Sequence, residues 1–177
     1  MKNWYLLYCQ IQRFERVVQK ISSLDIECYY PLETRITPRK NRTSPNVRQK
    51  ALFAGYLFVH IDPEIVHPTE LTNIPGAHYF VRFGGKPCVI KTEIIETLKC
   101  VRLLRLNSQD GEVEYMNLPP ALLIVIQKIY GLPTLERNIE FMRLLEHPDT
   151  LSELLVDHSR VHSSLAHDSP THINATA

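Results

Sequence analysis

Nowhere in the 177 residues do about 18 apolar residues run together, so the chain carries no membrane-span signal. The opening Met1-Lys2-Asn3-Trp4-Tyr5-Leu6-Leu7-Tyr8-Cys9 lacks the long apolar run and small-residue cleavage site of a secretory signal, and the expectation is a cytoplasmic protein. Only four cysteines occur (Cys9, Cys28, Cys88, Cys100), none of them in a Cys-x-x-Cys pair. That spacing argues against a zinc ribbon or a thioredoxin-type redox motif and leaves them as small buried hydrophobes in a reducing compartment. Catalytic patterns are missing as well. There is no Gly-x-Ser-x-Gly, and the histidines gather toward the C-terminus. A hydrolase or nuclease would need paired carboxylates, a nucleophile with its base, or a metal cluster, so the chain reads as a non-enzyme. His158 and His162 lie one helical turn apart, but no acidic or cysteine ligand stands at matching spacing, so neither a metal nor a cofactor is expected.

Acid is absent from one stretch in particular. Between Glu33 and Asp62 there is no Asp or Glu, while Arg35, Arg39, Lys40, Arg42, Arg48 and Lys50 are present among Thr, Ser, Asn and Pro. Without periodicity or apolar anchors, this segment reads as a mobile basic loop, either solvated or in contact with nucleic acid. The formal charge of +1 conceals the same asymmetry across the chain. Residues 1–99 carry 14 Lys and Arg against 9 Asp and Glu, giving +5, whereas residues 100–177 carry 6 against 10, giving −4. Halves of opposite sign suggest two regions, the first facing something anionic.

What is present is an alternation of strand and helix signals. Residues 3–9 form a short apolar and aromatic strand. Phe14, Val17, Val18, Ile21 and Leu24 then recur at helical spacing, with Arg13, Arg16 and Lys20 lined along the flank of that stripe. Cys28–Leu32 reads as a second strand, Leu52–Ile61 as the strongest strand, and Tyr79–Phe83 as a further one ending at Gly84-Gly85. Asp62-Pro63-Glu64 resembles a helix start, with Pro68 ruling out a long helix beyond it. Thr92 caps a helix carrying Ile94, Ile95, Leu98 and Val101 on one face. This order predicts an α+β fold: a ferredoxin-like α/β sandwich with an antiparallel sheet, over residues 1–103. A linker is expected over 104–120, a small helical region over 121–162 with a stripe of Leu135, Ile139, Met142 and Leu145, and a disordered tail over 163–177. Alternation in the strongest strand puts Leu57, Val59 and Ile61 on one face, and Tyr56, Phe58 and His60 on the other. Leu6 and Tyr8 repeat the second pattern, so the sheet has apolar area on both faces, which either the chain itself or a partner must cover.

Three of these stretches together resemble the NusG family of transcription elongation factors. Asn3-Trp4-Tyr5-Leu6-Leu7-Tyr8-Cys9 with the following helix is similar to that family's opening. Leu52-Phe53-Ala54-Gly55-Tyr56-Leu57-Phe58-Val59 resembles its phenylalanine-rich strand, with Ala54 in place of a proline. Gly76-Ala77-His78-Tyr79-Phe80-Val81-Arg82-Phe83-Gly84 resembles a third segment. Within the family the first and third resemble the RfaH-like antitermination branch. The resemblance implies a monomer that binds RNA polymerase and suppresses pausing and termination. The β′ clamp helices would meet the apolar face at Leu6, Tyr8, Tyr56, Phe58 and Phe83, and the β gate loop would meet His67 and Thr69. A His-Thr-Thr motif is expected in the family at that second place, where this chain has His67-Pro68-Thr69. It also implies reading of single-stranded non-template DNA by Arg13, Arg16, Lys20 and Asn73, although Asn73-Ile74 replaces a Thr-Arg pair. The alternative is a nucleic-acid-binding module that works without polymerase. No glycine-bearing KOW barrel motif follows, with Asp110–Tyr115 as a candidate remnant. RfaH-like proteins can fold their C-terminal domain as a helical hairpin over the clamp-binding face. The corresponding expectation here is that helices within 121–161 pack on Leu6, Tyr8, Tyr56 and Phe58, while Pro119, Pro120, Pro133 and Pro148 oppose conversion to strands.

Overall fold

In a computed structural model, residues 1–39, 43–99, 101–106, 110–115 and 120–147 are described. The strand signals at residues 3–9 and 56–61 become β1 (Asn3–Cys9) and β5 (Tyr56–Ile61), which pair antiparallel with Leu6 opposite Phe58 and Tyr8 opposite Tyr56. They form the middle of a sheet ordered β2-β5-β1-β6, where β2 is Glu27–Tyr29 and β6 is Ala77–Phe80. A short strand β9 (Val89–Ile90) also pairs with β1, alongside β6.

Both faces of this sheet are covered, which accounts for its excess of apolar residues. On one face Tyr5, Leu7, Cys9, Leu57, Val59 and Ile61 pack with helix α1 (Phe14–Ser22), through Phe14, Val17 and Ile21. The same layer holds the short helix α2 (Pro68–Thr72), anchored by Leu71. On the other face Trp4, Leu6 and Phe58 pack with α3 (Thr92–Lys99), through Ile94 and Ile95, and with two later helices. These are α4 (Pro120–Gly131) and α5 (Thr134–Glu146), which contribute Ile129, Tyr130, Phe141 and Leu145. The mixed α+β architecture matches the expected fold class. Burial pushes the thiols of Cys9 and Cys88 up to about 12 and about 11, so both behave as hydrophobes rather than nucleophiles.

Several elements differ from the sequence expectation for definable reasons. The basic segment is not a loop: β3 (Leu32–Thr37) and β4 (Asn46–Ala51) form a hairpin, with residues 40–42 at its tip lying outside the described residues. Its ladder extends through β10 (Val101–Leu106), parallel to β3, and β11 (Asp110–Tyr115), so strands occupy much of the stretch expected as a linker over 104–120. The signal was weak because β3, β4 and β11 carry charge on alternate positions rather than an apolar run. Leu52–Gly55 is a turn leading into β5; Gly55 has φ +84°, and a Cβ there would stand 2.8 Å from the Cys9 carbonyl oxygen. The helix placed at Asp62 is a turn; no long helix follows, as expected, and Pro68 begins the short α2 at the first helical position, where its missing N–H costs nothing. Leu24 lies beyond the end of α1 and is exposed. A hairpin of β7 (Arg82–Phe83) and β8 (Lys86–Pro87) completes the N-terminal part. The expected tail over 163–177, and the pair His158 and His162, lie outside the described residues.

Candidate functional site

The two central strands place four of the expected partner-binding residues together. Leu6, Tyr8, Tyr56 and Phe58 share one sheet face by register and alternation, and Phe83 packs against the same cluster from the β7–β8 hairpin. The face is not open. Leu6 and Phe58 are 0% and 1% exposed, whereas Tyr8, Tyr56 and Phe83 are half-buried. Burial, then the neighbouring Tyr79 and Tyr8, holds the Tyr56 phenol above the ordinary tyrosine value. At the open end Tyr8 packs its ring against Tyr56, Tyr79 and His78, with centroids 5.2, 5.2 and 5.8 Å away.

Phe141 of α5 closes the middle of the face. Its ring stacks on Phe53 at 3.7 Å between centroids and stands edge-on to Phe58 at 5.9 Å. The residue that locks this arrangement was not foreseen. Arg137, expected on no buried stripe, is 3% exposed, while Leu135 and Ile139 of the expected stripe are 73% and 46% exposed. The inward stripe of α5 is Arg137, Phe141 and Leu145, with Met142 and Leu144 at its margins. Arg137 Nη1 donates to Glu33 Oε2 (3.3 Å) and to the Leu52 carbonyl (3.2 Å), and its Nη2 donates to the carbonyls of Tyr130 and Leu132 (3.2 and 3.1 Å). One guanidinium therefore joins the hairpin to the C-terminal end of α4, where a helix leaves carbonyls unpaired. Asn138 Nδ2 adds a bond to the Ala54 carbonyl (3.3 Å), fastening α5 to the turn before β5. Glu33 is fully buried in β3, where Arg35 and Lys50 of the same hairpin and Arg137 of α5 all approach its carboxylate.

The expected nucleic-acid residues sit in the opposite layer. Arg13 ends a single 3-10 turn, Arg16 and Lys20 follow on α1, and all three are exposed without an ion pair among the described residues. Asn73 caps the C-terminal end of α2, and the tight turn after it sets Gly76 against Arg13. Gly76 makes that turn possible, with φ +106° and an added Cβ only 2.7 Å from Arg13 Cβ. Gly76→Ala should therefore strain the backbone and push Arg13 aside, costing about 1–3 kcal/mol and lowering Tm by roughly 2–12 °C. A thermal melt checks this, and an unchanged midpoint would contradict it. His67 and Thr69 are committed to capping α2: the His67 Nδ1 lies 2.6 Å from Thr69 Oγ1, and Glu70 Oε1 accepts from the His67 backbone N–H at 3.3 Å. They lie in the α1–α2 layer, apart from the Tyr8–Phe58 face. No group of three His, Cys, Asp or Glu among the described residues could hold a metal ion. No helix among them is long and apolar enough to cross a membrane.

A family model described as transcription termination factor NusG matches residues 2–99. The chain belongs to the NusG family. That match takes in β1, α1, β5 and α2, with every expected contact residue, and stops before α4 and α5. Among solved structures, one titled for domain interaction in Thermotoga maritima NusG is similar at 22% identity, with a TM-score of 0.34. The similarity covers 55% of this chain and 55% of that one, so the chain spans about half the length of that NusG structure. NusG-family proteins are transcription elongation and termination factors that interact with RNA polymerase.

Proposed function

We propose that this NusG-family chain is an RfaH-like elongation and antitermination factor, held inactive when α4 and α5 cover its partner-binding face. In this reading Leu6, Tyr8, Tyr56, Phe58 and Phe83 receive the polymerase β′ clamp helices once the cover leaves, and His67 and Thr69 approach the β gate loop. Arg13, Arg16, Lys20 and Asn73 hold the exposed non-template strand. Bound to both, the protein favours the closed clamp by population shift, and pausing and termination decline. The organisation is that of a monomer with a partner-binding unit over residues 1–103 and a detachable helical region after it.

One observation carries the reading: the ring that closes the aromatic face, Phe141, comes from outside the family-matched segment. The contact also has the chemistry of a detachable interface. Besides its apolar rings it relies on a buried ion pair, and Arg137 Nε and Asn138 Oδ1 are buried without hydrogen-bond partners among the described residues. Buried polar groups left incompletely paired subtract from docking, so the cover is held less firmly than an all-apolar core would be.

Readthrough of a terminator in a reconstituted elongation assay tests this. Tyr56→Ala, a half-buried position, should abolish readthrough while keeping a cooperative melt. Arg16→Ala should weaken recruitment most at low salt, since each lost contact with a single-strand phosphate makes the salt dependence shallower by about 0.7. Full readthrough by Tyr56→Ala would contradict the assigned face. Binding to nucleic acid with no dependence on polymerase would favour the alternative of a polymerase-independent module.

A further inference from the structure

The basic hairpin remains unused by the reading above, and its register makes it more than a solvated loop. Directly opposed residues share a sheet face, so Glu33, Arg35 and Thr37 of β3 lie with Lys50, Arg48 and Asn46 of β4. On that face Arg35 stands directly opposite Arg48, a like-charge pair that costs stability unless an anion is supplied. Among the described residues the only carboxylate there is Glu33, and it is already shared: Arg35 at 3.6 Å, Lys50 at 3.5 Å and Arg137 at 3.3 Å all approach it. Arg48 is exposed and has no partner among the described residues. Arg39 is held beside the hairpin's outer end by a bond to Asn46 Oδ1 at 3.4 Å. Deterring edge-to-edge pairing of β4, the outermost strand, would need one charge rather than opposed arginines.

From this surplus we infer that the β3–β4 hairpin is a second nucleic-acid surface, which grips the phosphate backbone of duplex DNA independently of α1. The charge pattern selects phosphate, and composition selects the duplex. Residues 32–51 contain no Phe, Tyr, Trp or His, so the hairpin has no ring on which an unpaired base could stack. A closed double helix asks for none, because its backbone presents charge at regular intervals to a flat row of cations. The surface is also separate from the α1 stripe. Arg13, Arg16 and Lys20 ride on a helix packed against the main sheet, whereas Arg35 and Arg48 belong to the other sheet, β11-β10-β3-β4.

Fluorescence anisotropy of the full chain with a mixed-sequence DNA duplex of about 20 bp, its single strand and the matching RNA duplex, over a salt series, decides the matter. The variant is Arg39→Ser with Arg48→Ser, both exposed and neither paired with Glu33 or Arg137, and its melt should be no lower than that of the parent protein. The parent should bind the DNA duplex, and the variant's plot of log affinity against log salt should be shallower by about two. That corresponds to a loss of roughly 60-fold at 0.1 M salt. Arg16→Ala should leave this duplex slope unchanged while reducing single-strand binding. The inference is overturned if the parent does not bind the duplex, if the double variant keeps the parent's slope, or if only RNA or single strands depend on the hairpin.

Discussion

Phe141→Ala is expected to release α4 and α5 from the sheet while leaving the β1–β5 pairing intact. The lost ring touches both Phe53 and Phe58, and truncating a buried Phe costs about 3–5 kcal/mol through lost transfer energy and a residual cavity. Docking of two short helices on one side of a sheet has little else to offset that loss. Its apolar partners are Ile129, Tyr130 and Leu145, and part of their burial energy is spent on ordering the segment. Hydrogen exchange resolves the consequence. Amides of α5 should exchange roughly 100- to 1000-fold faster, whereas those of β1 and β5, paired along Asn3 to Tyr8, should keep their protection. Equal acceleration in both places would mean that α4 and α5 are inseparable from the N-terminal core.

The second large effect concerns the Glu33–Arg137 pair, and it should be asymmetric. Glu33→Gln leaves a buried guanidinium whose remaining acceptors are the neutral carbonyls of Leu52, Tyr130 and Leu132. Removing one partner of a buried ion pair typically costs about 3–5 kcal/mol, and here the orphaned charge has no second carboxylate to turn to among the described residues. Arg137→Met is expected to cost less. The long side chain keeps its packing, and Glu33 retains Arg35 and Lys50 within 3.6 and 3.5 Å. Combining the two should cost clearly less than their sum, because the orphaned charge disappears with its partner. Denaturant titrations of the four proteins check this order. Additive effects, or Arg137→Met as the more damaging change, would show that the pair does not carry the docking.

Periodicity alone placed the central strands and α1, since Asn3–Cys9 and Phe14–Ser22 bear patterns that tertiary context did not override. It also marked Tyr56 and Phe58 as surplus apolar surface, on the sheet face that lies away from α1. What it did not give was the partner of that surface. Leu135 and Ile139 offered the cleaner helical stripe, yet α5 turns Arg137 and Phe141 inward, because the sheet presents a buried carboxylate and a gap between Phe53 and Phe58. Those demands come from Glu33, over 100 positions earlier in the sequence, so no local window could contain them. The β3–β4 hairpin was missed for the converse reason. Its strands are stabilised by pairing on both flanks of β3, not by an apolar face of their own.

Whether the helical cover guards a partner-binding face is tested most directly by titrating an isolated RNA polymerase β′ clamp-helix coiled coil into the full chain, Phe141→Ala, and Phe141→Ala with Tyr56→Ala. The account predicts weak binding by the intact protein, at least about 10-fold tighter binding by Phe141→Ala, and loss of that gain when Tyr56 is also removed. Equal affinity for the intact protein and Phe141→Ala, or a gain that survives Tyr56→Ala, would contradict it.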